Sequence, residues 1–487
     1  MTADQAHRTR LGPIARQAML ERGLWPDFSP AANREAASLQ APRAVAAARD
    51  LRGLPWCSID NDDSRDLDQI TVAESLAGGR TRILVAIADV DAAIAPARAI
   101  DEHARHNTTS VYTAAVIFPM LPERLSTDLT SLVQDQDRLA VVVDMVVDGN
   151  GAVLEGTLQR ALVRNRAKLA YDAVAAWLDG QAAAPLPVAA VQSLAENLRL
   201  QDAVAEQLRA RRFQDGALDL ETIEPRAVYD GDAIRDLRVE RKNRARMLIE
   251  DFMIAANGVT ARFLKGRRVP SLRRVVRSPE RWDKIVALVA AYGETLPPQP
   301  DCCSLGQFLA RQRERDPLRF PDLSLTIVKL LGAGEYVVEQ PDDDPIGHFG
   351  LAVRNYAHSP APTRRYPDLV TQRLVKAALA GERAAHDPTQ LAELAHHCTD
   401  MEDAADKVER QVRKSAAALL LAPRVGESFD AIVTGASAKG TWVRLLAPPA
   451  EGKLVRGFEH ADVGDRVHVR LVATDVARGF IDFARLS

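Results

Sequence analysis

The sequence predicts an α+β protein, with a large mixed domain, a small helical region before it and a five-stranded barrel at its C-terminal end. Three observations support this prediction. Short β-branched runs alternate with longer segments of helical period, and the last part of the chain changes to brief alternating segments separated by glycines and charged turns. A chain of 487 residues, 47% of them hydrophobic, is also long enough for two to four domains with large cores.

Residues 1–50 are the predicted small helical region. Apolar residues recur at helical spacing from Ile14 to Leu24, and Ser29 followed by Pro30 is typical of a helix cap with proline in the first turn. Two interpretations are open: a helix-turn-helix-like domain, or an arm that packs against the rest of the protein. We favour the arm.

Residues 51–423 are the predicted large α+β domain. Residues 82–90 and 138–147 are short, apolar and β-branched, which predicts buried strands, and a turn follows the second run. Helical patterns cover residues 189–212, 243–264, 279–292, 366–381 and 388–420. We place the end of this domain at Pro423, where the last predicted helix stops.

Residues 424–487 are predicted to form an OB-type barrel. Their five short alternating segments are SFDAIVTGAS, GTWVRLLA, GKLVRGFE, DRVHVRLVAT and GFIDFARL. The aromatic residues Phe429, Trp442 and Phe458 are candidates either for base stacking or for the barrel core.

Charge and cysteine content exclude several classes of protein. The 63 basic and 66 acidic side chains give a net charge of −3, which argues against a histone-like binder but leaves local basic tracks at residues 238–246 and 262–277. The four cysteines are too few and too scattered for a disulfide framework, and His396-His397 beside Cys398 lacks partners for a zinc site. No apolar stretch could span a membrane and no signal sequence is recognisable, so we expect a cytoplasmic protein without membrane partners.

The strongest chemical signal is the acidic segment 58–69, SIDNDDSRDLDQ, which holds five carboxylates within nine residues. An EF-hand loop beginning at Asp60 would need glycine at its sixth position and glutamate at its twelfth. The chain has Arg65 and Thr71 there, which excludes that calcium loop. An acidic surface loop stays open as the simpler interpretation.

The alternative interpretation of this segment is a metal site. It leads into a predicted strand at residues 69–72, which would point Asp66 and Asp68 to one face, and Asp60 could return to them across a short loop. Such an all-oxygen set of ligands suits Mg²⁺, which serves phosphodiester hydrolysis.

The spacing Asp-x5-Asp-x-Asp closely resembles the catalytic motif of the RNB domain in the RNase II/RNase R family of exoribonucleases. Further segments resemble that family in the same order along the chain: VAIADV (85–90), TSVY (109–112), PMLPERLS (119–126), IEDFMIAAN (249–257), HFGL (348–351) and YAHSPAPTRRYPDL (356–369). The resemblance covers roughly residues 54–420, and residues 424–487 resemble the S1 domain usual at the family's C-terminal end.

For the chemistry, the resemblance implies that Asp60, Asp66, Asp68 and Gln69 hold the metal, and that Asp68 and Asp66 act in catalysis. Arg364 would contact the scissile phosphate, a task that suits a fixed and always charged guanidinium. The family commonly has an acidic residue where this chain has Gln69, and the amide removes one negative charge from the site.

For RNA binding, the resemblance implies that Tyr112 stacks on the 3′-terminal base and Tyr171 stacks nearer the mouth of a channel. Glu250 would contact the terminal ribose. Arg365 would lie beside Arg364 on the RNA, and the two neighbours could exchange roles.

The resemblance as a whole implies a monomeric 3′→5′ exoribonuclease that degrades single-stranded RNA processively to nucleoside 5′-monophosphates with Mg²⁺, Mn²⁺ being possible. The cold-shock domains usual in the family are too large for residues 1–50, so RNA gripping would depend more on the barrel and the channel. Two alternatives stay open: an RNA-binding scaffold weakened in catalysis at Gln69, and a distributive or single-strand DNA nuclease.

Overall fold

The structure is a computed structural model that describes residues 7–42, 48–223, 225–239, 242–383, 386–437, 440–461 and 463–486. Its helices are α1 His7–Glu21, α2 Pro30–Ser38, α3 Ala99–Asn107, α4 Tyr171–Leu178, α5 Leu186–Ala190, α6 Leu194–Gln214, α7 Arg244–Gly266, α8 Trp282–Ala291, α9 Cys302–Arg315, α10 Phe320–Leu331, α11 Tyr366–Ala380 and α12 Pro388–Leu421. Its strands are β1 Arg49–Asp50, β2 Cys57–Asp60, β3 Gln69–Ser75, β4 Thr81–Ala88, β5 Val111–Tyr112, β6 Ile117–Phe118, β7 Asp137–Val147, β8 Val153–Arg164, β9 Ala167–Ala170, β10 Pro225–Asp230, β11 Ala233–Val239, β12 Ser271–Val275, β13 Glu335–Glu339, β14 Ser428–Ser437, β15 Gly440–Leu445, β16 Glu451–Arg456, β17 Arg466–Asp475 and β18 Phe480–Arg485.

A seven-stranded mixed sheet, in the order β1-β8-β7-β4-β3-β2-β9, forms the centre of the molecule. Neighbouring strands from β8 to β2 are antiparallel, whereas β1 pairs with β8 and β9 pairs with β2 in parallel. The predicted strands at 82–90 and 138–147 become β4 and β7, whose register pairs Val85 with Val143. Both side chains are fully buried because these strands are covered on two faces.

Helices α7 and α11 bring the ends of the sheet together with the segment around residue 364. Helix α7 packs against α4, α6, β2 and β8, and α11 packs against α7 and β8. Phe252 and Leu369 are fully buried in the same core as the central strands. The carboxyl end of β2 and the start of β3 therefore face the beginning of α11.

The C-terminal strands close into a barrel in the order β14-β15-β16-β18-β17, as predicted. Phe429 is buried in the barrel core, Trp442 is half-buried, and Phe458 is 46% exposed, so Phe458 is the most accessible of these three for stacking. The last turns of α12 complete the barrel core through residues such as Leu421.

The barrel is also tied to the main body by charge. Both guanidinium Nη atoms of Arg444 bond to the two carboxylate oxygens of Asp322 on α10, at 2.6 and 3.0 Å. The side chains are 12% and 5% exposed, so the pair is nearly desolvated.

The N-terminal helices pack on the main body. Ser29 caps α2 by accepting a hydrogen bond from the Ala32 backbone N–H at 3.1 Å, and Pro30 opens the helix. Helix α1 lies along α12, where Met19 packs against Val408. None of the described helices combines the length and apolar character that a membrane crossing needs.

Five of the described helices were not among those predicted: α3, α4, α5, α9 and α10. Helices α9 and α10 join α8 in a small apolar core of their own around Phe308 and Phe320. The sheet does not cover this cluster, and proline-rich segments interrupt its helical periodicity in the sequence. The segment therefore lacked the long periodic pattern that identified α7 and α12.

Candidate active site

The acidic segment spans the connection between β2 and β3. Asp60 is the last residue of β2 and pairs with Ala170 of the parallel strand β9. Its Oδ1 accepts hydrogen bonds from the Asn61 backbone N–H at 2.7 Å and the Ser64 hydroxyl at 2.9 Å. This turn fixes the first carboxylate at the sheet edge.

The strand predicted at residues 69–72 is confirmed, but Asp66 and Asp68 are not part of it, so the expectation that they share one face of that strand is wrong. Strand β3 begins at Gln69, and both residues belong to the preceding loop. Leu67 between them donates its N–H to the Ser131 hydroxyl and accepts from the Leu132 N–H, at 3.0 and 2.9 Å. These hydrogen bonds take the place of strand pairing. The two carboxylates are therefore positioned by this loop and not by a β-strand.

Asp68 contacts the residues just before α11. It is 3% exposed, and its Oδ1 accepts a short hydrogen bond from the Thr363 hydroxyl. Its other oxygen lies 3.4 Å from Nε of Arg364. Sequence reasoning missed Thr363, because a threonine 295 residues away carries no signal of its own.

Burial raises the pKa of Asp68 to about 6, opposed by the charge of Arg364 and by the Thr363 hydrogen bonds. Burial likewise raises the pKa of Asp66, and the neighbouring charge of Asp60 adds to that rise. The three carboxylates are thus close enough to repel one another. Negative charge concentrated in a partly desolvated place favours a cation.

The oxygen donors of this segment match the ligands that Mg²⁺ prefers. Within the described ranges, however, no three His, Cys, Asp or Glu side chains converge as a metal centre requires. Asp68 is turned toward Thr363 and Arg364, which compensate its charge here. Gln69 is half-buried and pairs its backbone with Ile87 of β4. The metal assignment to these four residues stays a prediction.

The two neighbouring arginines have different surroundings. Arg364 is 46% exposed and lies beside Asp68. Arg365 binds the fully buried Asp368 at 2.7 Å, and that carboxylate also accepts from the Ala361 N–H at 2.9 Å. The guanidinium of Arg364 is therefore accessible to a ligand, whereas that of Arg365 is held by its ion pair with Asp368 in the first turn of α11.

Tyr112 lies close to the acidic segment and Arg364. Its backbone N–H donates to the Glu409 carboxylate of α12 at 2.7 Å, and its side chain is 39% exposed. Burial raises its pKa; the charge of Arg364 opposes this rise, and the charges of Asp66 and Asp68 add to it. The phenol is therefore near these groups while one part of the ring stays open.

Tyr171 opens α4 on the other side of the segment. The guanidinium of Arg246 lies 4.6 Å from the centre of its ring, and Nη2 of Arg246 also donates to Asn61 Oδ1 at 2.8 Å. Burial raises the pKa of Tyr171 to about 12, and the charge of Asp60 adds to that rise. Arg246 covers one face of the ring, so a base could stack only on the other face.

Glu250, on α7, is paired rather than free. Both carboxylate oxygens accept from Lys242 Nζ, at 2.8 and 2.7 Å. A ribose contact would have to share or replace this ion pair. Arg246 and Lys242 belong to the basic track at residues 238–246, in which Arg241 lies outside the described residues.

Comparison with known proteins decides the family. The RNB domain model matches residues 48–381, more than half of the chain, and the model of the RNase II-type exonuclease C-terminal S1 domain matches residues 427–486. The chain belongs to the RNB family. Ribonuclease R of Escherichia coli is 30% identical over 95% of this chain, and the chain spans 60% of that relative's length.

Solved structures share the fold. Mycoplasma genitalium RNase R in complex with ribose methylated single-stranded RNA matches 97% of this chain and 77% of its own, with a TM-score of 0.87 at 22% identity. Yeast Ssd1, a pseudonuclease, matches 92% of this chain and 55% of its own, with a TM-score of 0.69 at 15% identity. The fold therefore occurs in an RNase R and in a pseudonuclease.

Proposed function

We propose that this protein is a hydrolytic 3′→5′ exoribonuclease that degrades single-stranded RNA processively to nucleoside 5′-monophosphates. The observation that carries the proposal is the contact of buried Asp68 with Arg364, 3.4 Å apart and close to Tyr112, in an RNB-family chain. A carboxylate and an open guanidinium beside an aromatic ring suit an RNA end, which presents a phosphate and a base together.

Arg364 would bind the scissile phosphate. Its exposed guanidinium can turn from Asp68 toward a phosphate oxygen and stabilise the charge that develops there. Thr363 would hold the Asp68 carboxylate in a fixed orientation during that movement, because its hydroxyl donates to the other oxygen.

Asp60, Asp66, Asp68 and Gln69 would hold Mg²⁺, or Mn²⁺ in its place. When bound, the ion would supply an activated water and neutralise the scissile phosphate. The repulsion among the carboxylates supports this proposal, since a cation would relieve it.

Tyr112 would stack on the 3′-terminal base and Tyr171 on a base farther from the end, using the ring face that Arg246 leaves open. Glu250 would give up its ion pair with Lys242 and accept a hydrogen bond from the ribose 2′-hydroxyl. DNA lacks that hydroxyl and could not make this contact. We further propose that residues 424–487 form an RNA-binding S1 domain after an RNB domain at 51–423, and that the protein acts as a cytoplasmic monomer.

One experiment tests the proposed activity. Single-stranded RNA, a duplex with a 3′ overhang and single-stranded DNA, each labelled at the 5′ end, are incubated with Mg²⁺ or EDTA. We expect shortening from the 3′ end for RNA with Mg²⁺ only, with full-length and end-product bands dominating because the action is processive. Internal cleavage, equal degradation of DNA, or activity in EDTA would contradict the proposal.

A second candidate is an RNA-binding scaffold without hydrolysis. Two observations favour it: Gln69 in place of an acidic residue, and the failure of three acidic side chains to converge among the described residues. Titration of the wild type and Gln69→Asp from micromolar to tens of millimolar Mg²⁺ or Mn²⁺ separates the two. The enzyme hypothesis expects hydrolysis by the wild type and half-saturation at lower metal concentration in Gln69→Asp. Activity only in Gln69→Asp would identify the scaffold.

A further inference from the structure

A basic pocket lies on the side of the main body where α6 and α7 meet the turn between β7 and β8. Its volume is about 320 Å³, within the range of small-ligand sites.

The wall consists of the C-terminal part of α6, the middle of α7, the turn at residues 151–153 and the segment 353–355. Arg246 and Glu250, which belong to the candidate active site, do not line it.

The pocket carries an excess of positive charge. Four arginines line it against two aspartates: Arg211, Arg212, Arg262, Arg354, Asp215 and Asp251. Arg211 pairs with Asp215 at 3.1 Å, and Arg212 pairs with the buried Asp251. Asp251 is shared with Arg209 at 2.7 Å, so its charge is already compensated.

Arg262 and Arg354 are the two pocket arginines that do not pair with either of these aspartates. Neither forms an ion pair with a carboxylate of the described residues, and burial lowers the pKa of Arg262. Four other arginines of the basic track at 262–277 do pair with a carboxylate: Arg268, Arg273, Arg274 and Arg277. Two unpaired guanidinium groups on one pocket favour a doubly charged anion.

The remaining wall suits more than a bare anion. Apolar side chains such as Val153, Leu208 and Ile254 line the pocket beside the arginines. Asn355 also lines it, and its amide oxygen is buried with no donor among the described residues. A ligand with a flat apolar part and hydroxyl or amino donors would cover that wall and could satisfy this oxygen.

We propose that this pocket binds a phosphate monoester carried on a nucleoside, that is, a nucleoside 5′-monophosphate. Arg262 and Arg354 bind the phosphate, and the apolar wall accepts the base or the ribose. That this ligand is the protein's own reaction product rests on the proposed function, whereas the binding itself does not.

Equilibrium dialysis or calorimetry in EDTA tests the site, since EDTA prevents hydrolysis and metal-bridged binding at the acidic segment. The probes are AMP, ribose 5-phosphate, inorganic phosphate and adenosine. The variants are Arg262→Gln, Arg354→Gln and the double variant, with Arg34→Gln as an exposed arginine control far along the chain in α2. Matching unfolding midpoints verify that each variant folds.

We expect AMP to bind more tightly than phosphate or adenosine. The double variant should lose at least ten-fold in AMP affinity. The controls Arg34→Gln and Asp68→Asn should bind AMP as the wild type does. AMP binding that survives the double variant would overturn the proposal, as would its loss in Asp68→Asn, which would assign the ligand to the active site. Equal binding of phosphate and AMP would overturn the nucleoside assignment. None of these outcomes depends on RNA hydrolysis, so failure of the proposed function is distinguishable.

Discussion

Replacing each of the two neighbouring arginines by glutamine should separate catalysis from stability. Arg365 binds Asp368, whose side chain is fully buried and whose second oxygen has no hydrogen-bond donor among the described residues. Arg365→Gln leaves that carboxylate with the Ala361 N–H as its remaining donor. Breaking such a buried pair costs about 3–5 kcal/mol of unfolding free energy.

Arg364→Gln should have the opposite profile. The Arg364 side chain is 46% exposed and lies 3.4 Å from Asp68, so the free energy of unfolding should change by at most about 1 kcal/mol. Loss of a fixed charge at the scissile phosphate costs about 3–4 kcal/mol in the transition state, which is a rate loss of about 10²–10³.

The assay combines urea unfolding midpoints with initial rates of RNA degradation for both variants. Arg364→Lys serves as a control that keeps the charge but loses the planar fork, and we expect it to recover only part of the rate. A stable but inactive Arg365→Gln together with an active Arg364→Gln would mean that the two residues exchange roles. Equal losses of stability in both variants would refute the reasoning from burial.

Three further predictions follow from other contacts. Thr363→Val should slow RNA hydrolysis about 10-fold or more, because a hydrogen bond to a charged group is worth about 1.5–3 kcal/mol. Thr363→Ser keeps the hydroxyl and should stay close to wild type. Equal rates in the two variants would show that the hydroxyl does not orient Asp68. Phe458→Ala with Phe480→Ala should weaken RNA binding without lowering the unfolding midpoint, since the two rings are 46% and 57% exposed; unchanged affinity would exclude them as a stacking surface. Burial lowers the pKa of His103 from 6.5 to about 4, so the free energy of unfolding should fall as the pH drops from 6.5 towards 4. His103→Gln should make this pH dependence weaker in unfolding measurements. An unchanged dependence on pH would contradict the assignment to His103.

Local patterns predicted much of the fold. Strands β4 and β7 are β-branched runs with both faces covered, and α12 shows helical spacing over its whole length, so the sequence around each element carries the signal. Helices α9 and α10 were not predicted because prolines flank or interrupt their helical pattern, and their apolar core, shared with α8, lies apart from the sheet. The start of β3 at Gln69 agrees with the strand predicted at residues 69–72, whereas the loop that holds Asp66 and Asp68 is positioned by hydrogen bonds with Ser131 and Leu132 that the sequence does not reveal.

The candidate site was predictable in its residue types but not in its contacts. The acidic segment is local in sequence, and its resemblance to a catalytic motif identified Asp68 and Arg364. The partners Thr363 and Arg246 act across long sequence separations, and threonine and arginine are too common for their positions to stand out. Likewise, only the structure distinguishes Arg364 from Arg365, because burial of Asp368 is a property of the fold.

The central claim is that the acidic segment performs the chemistry while separate basic and aromatic groups hold the RNA. Asp68→Asn tests it most directly, by measuring in parallel the rate of mononucleotide release from single-stranded RNA and the affinity for the same RNA. The variant keeps the size of the side chain and an oxygen near Thr363. We predict that hydrolysis is abolished while RNA affinity stays within a few-fold of the wild type. Near-normal release of mononucleotides, or a large loss of RNA affinity, would contradict the account.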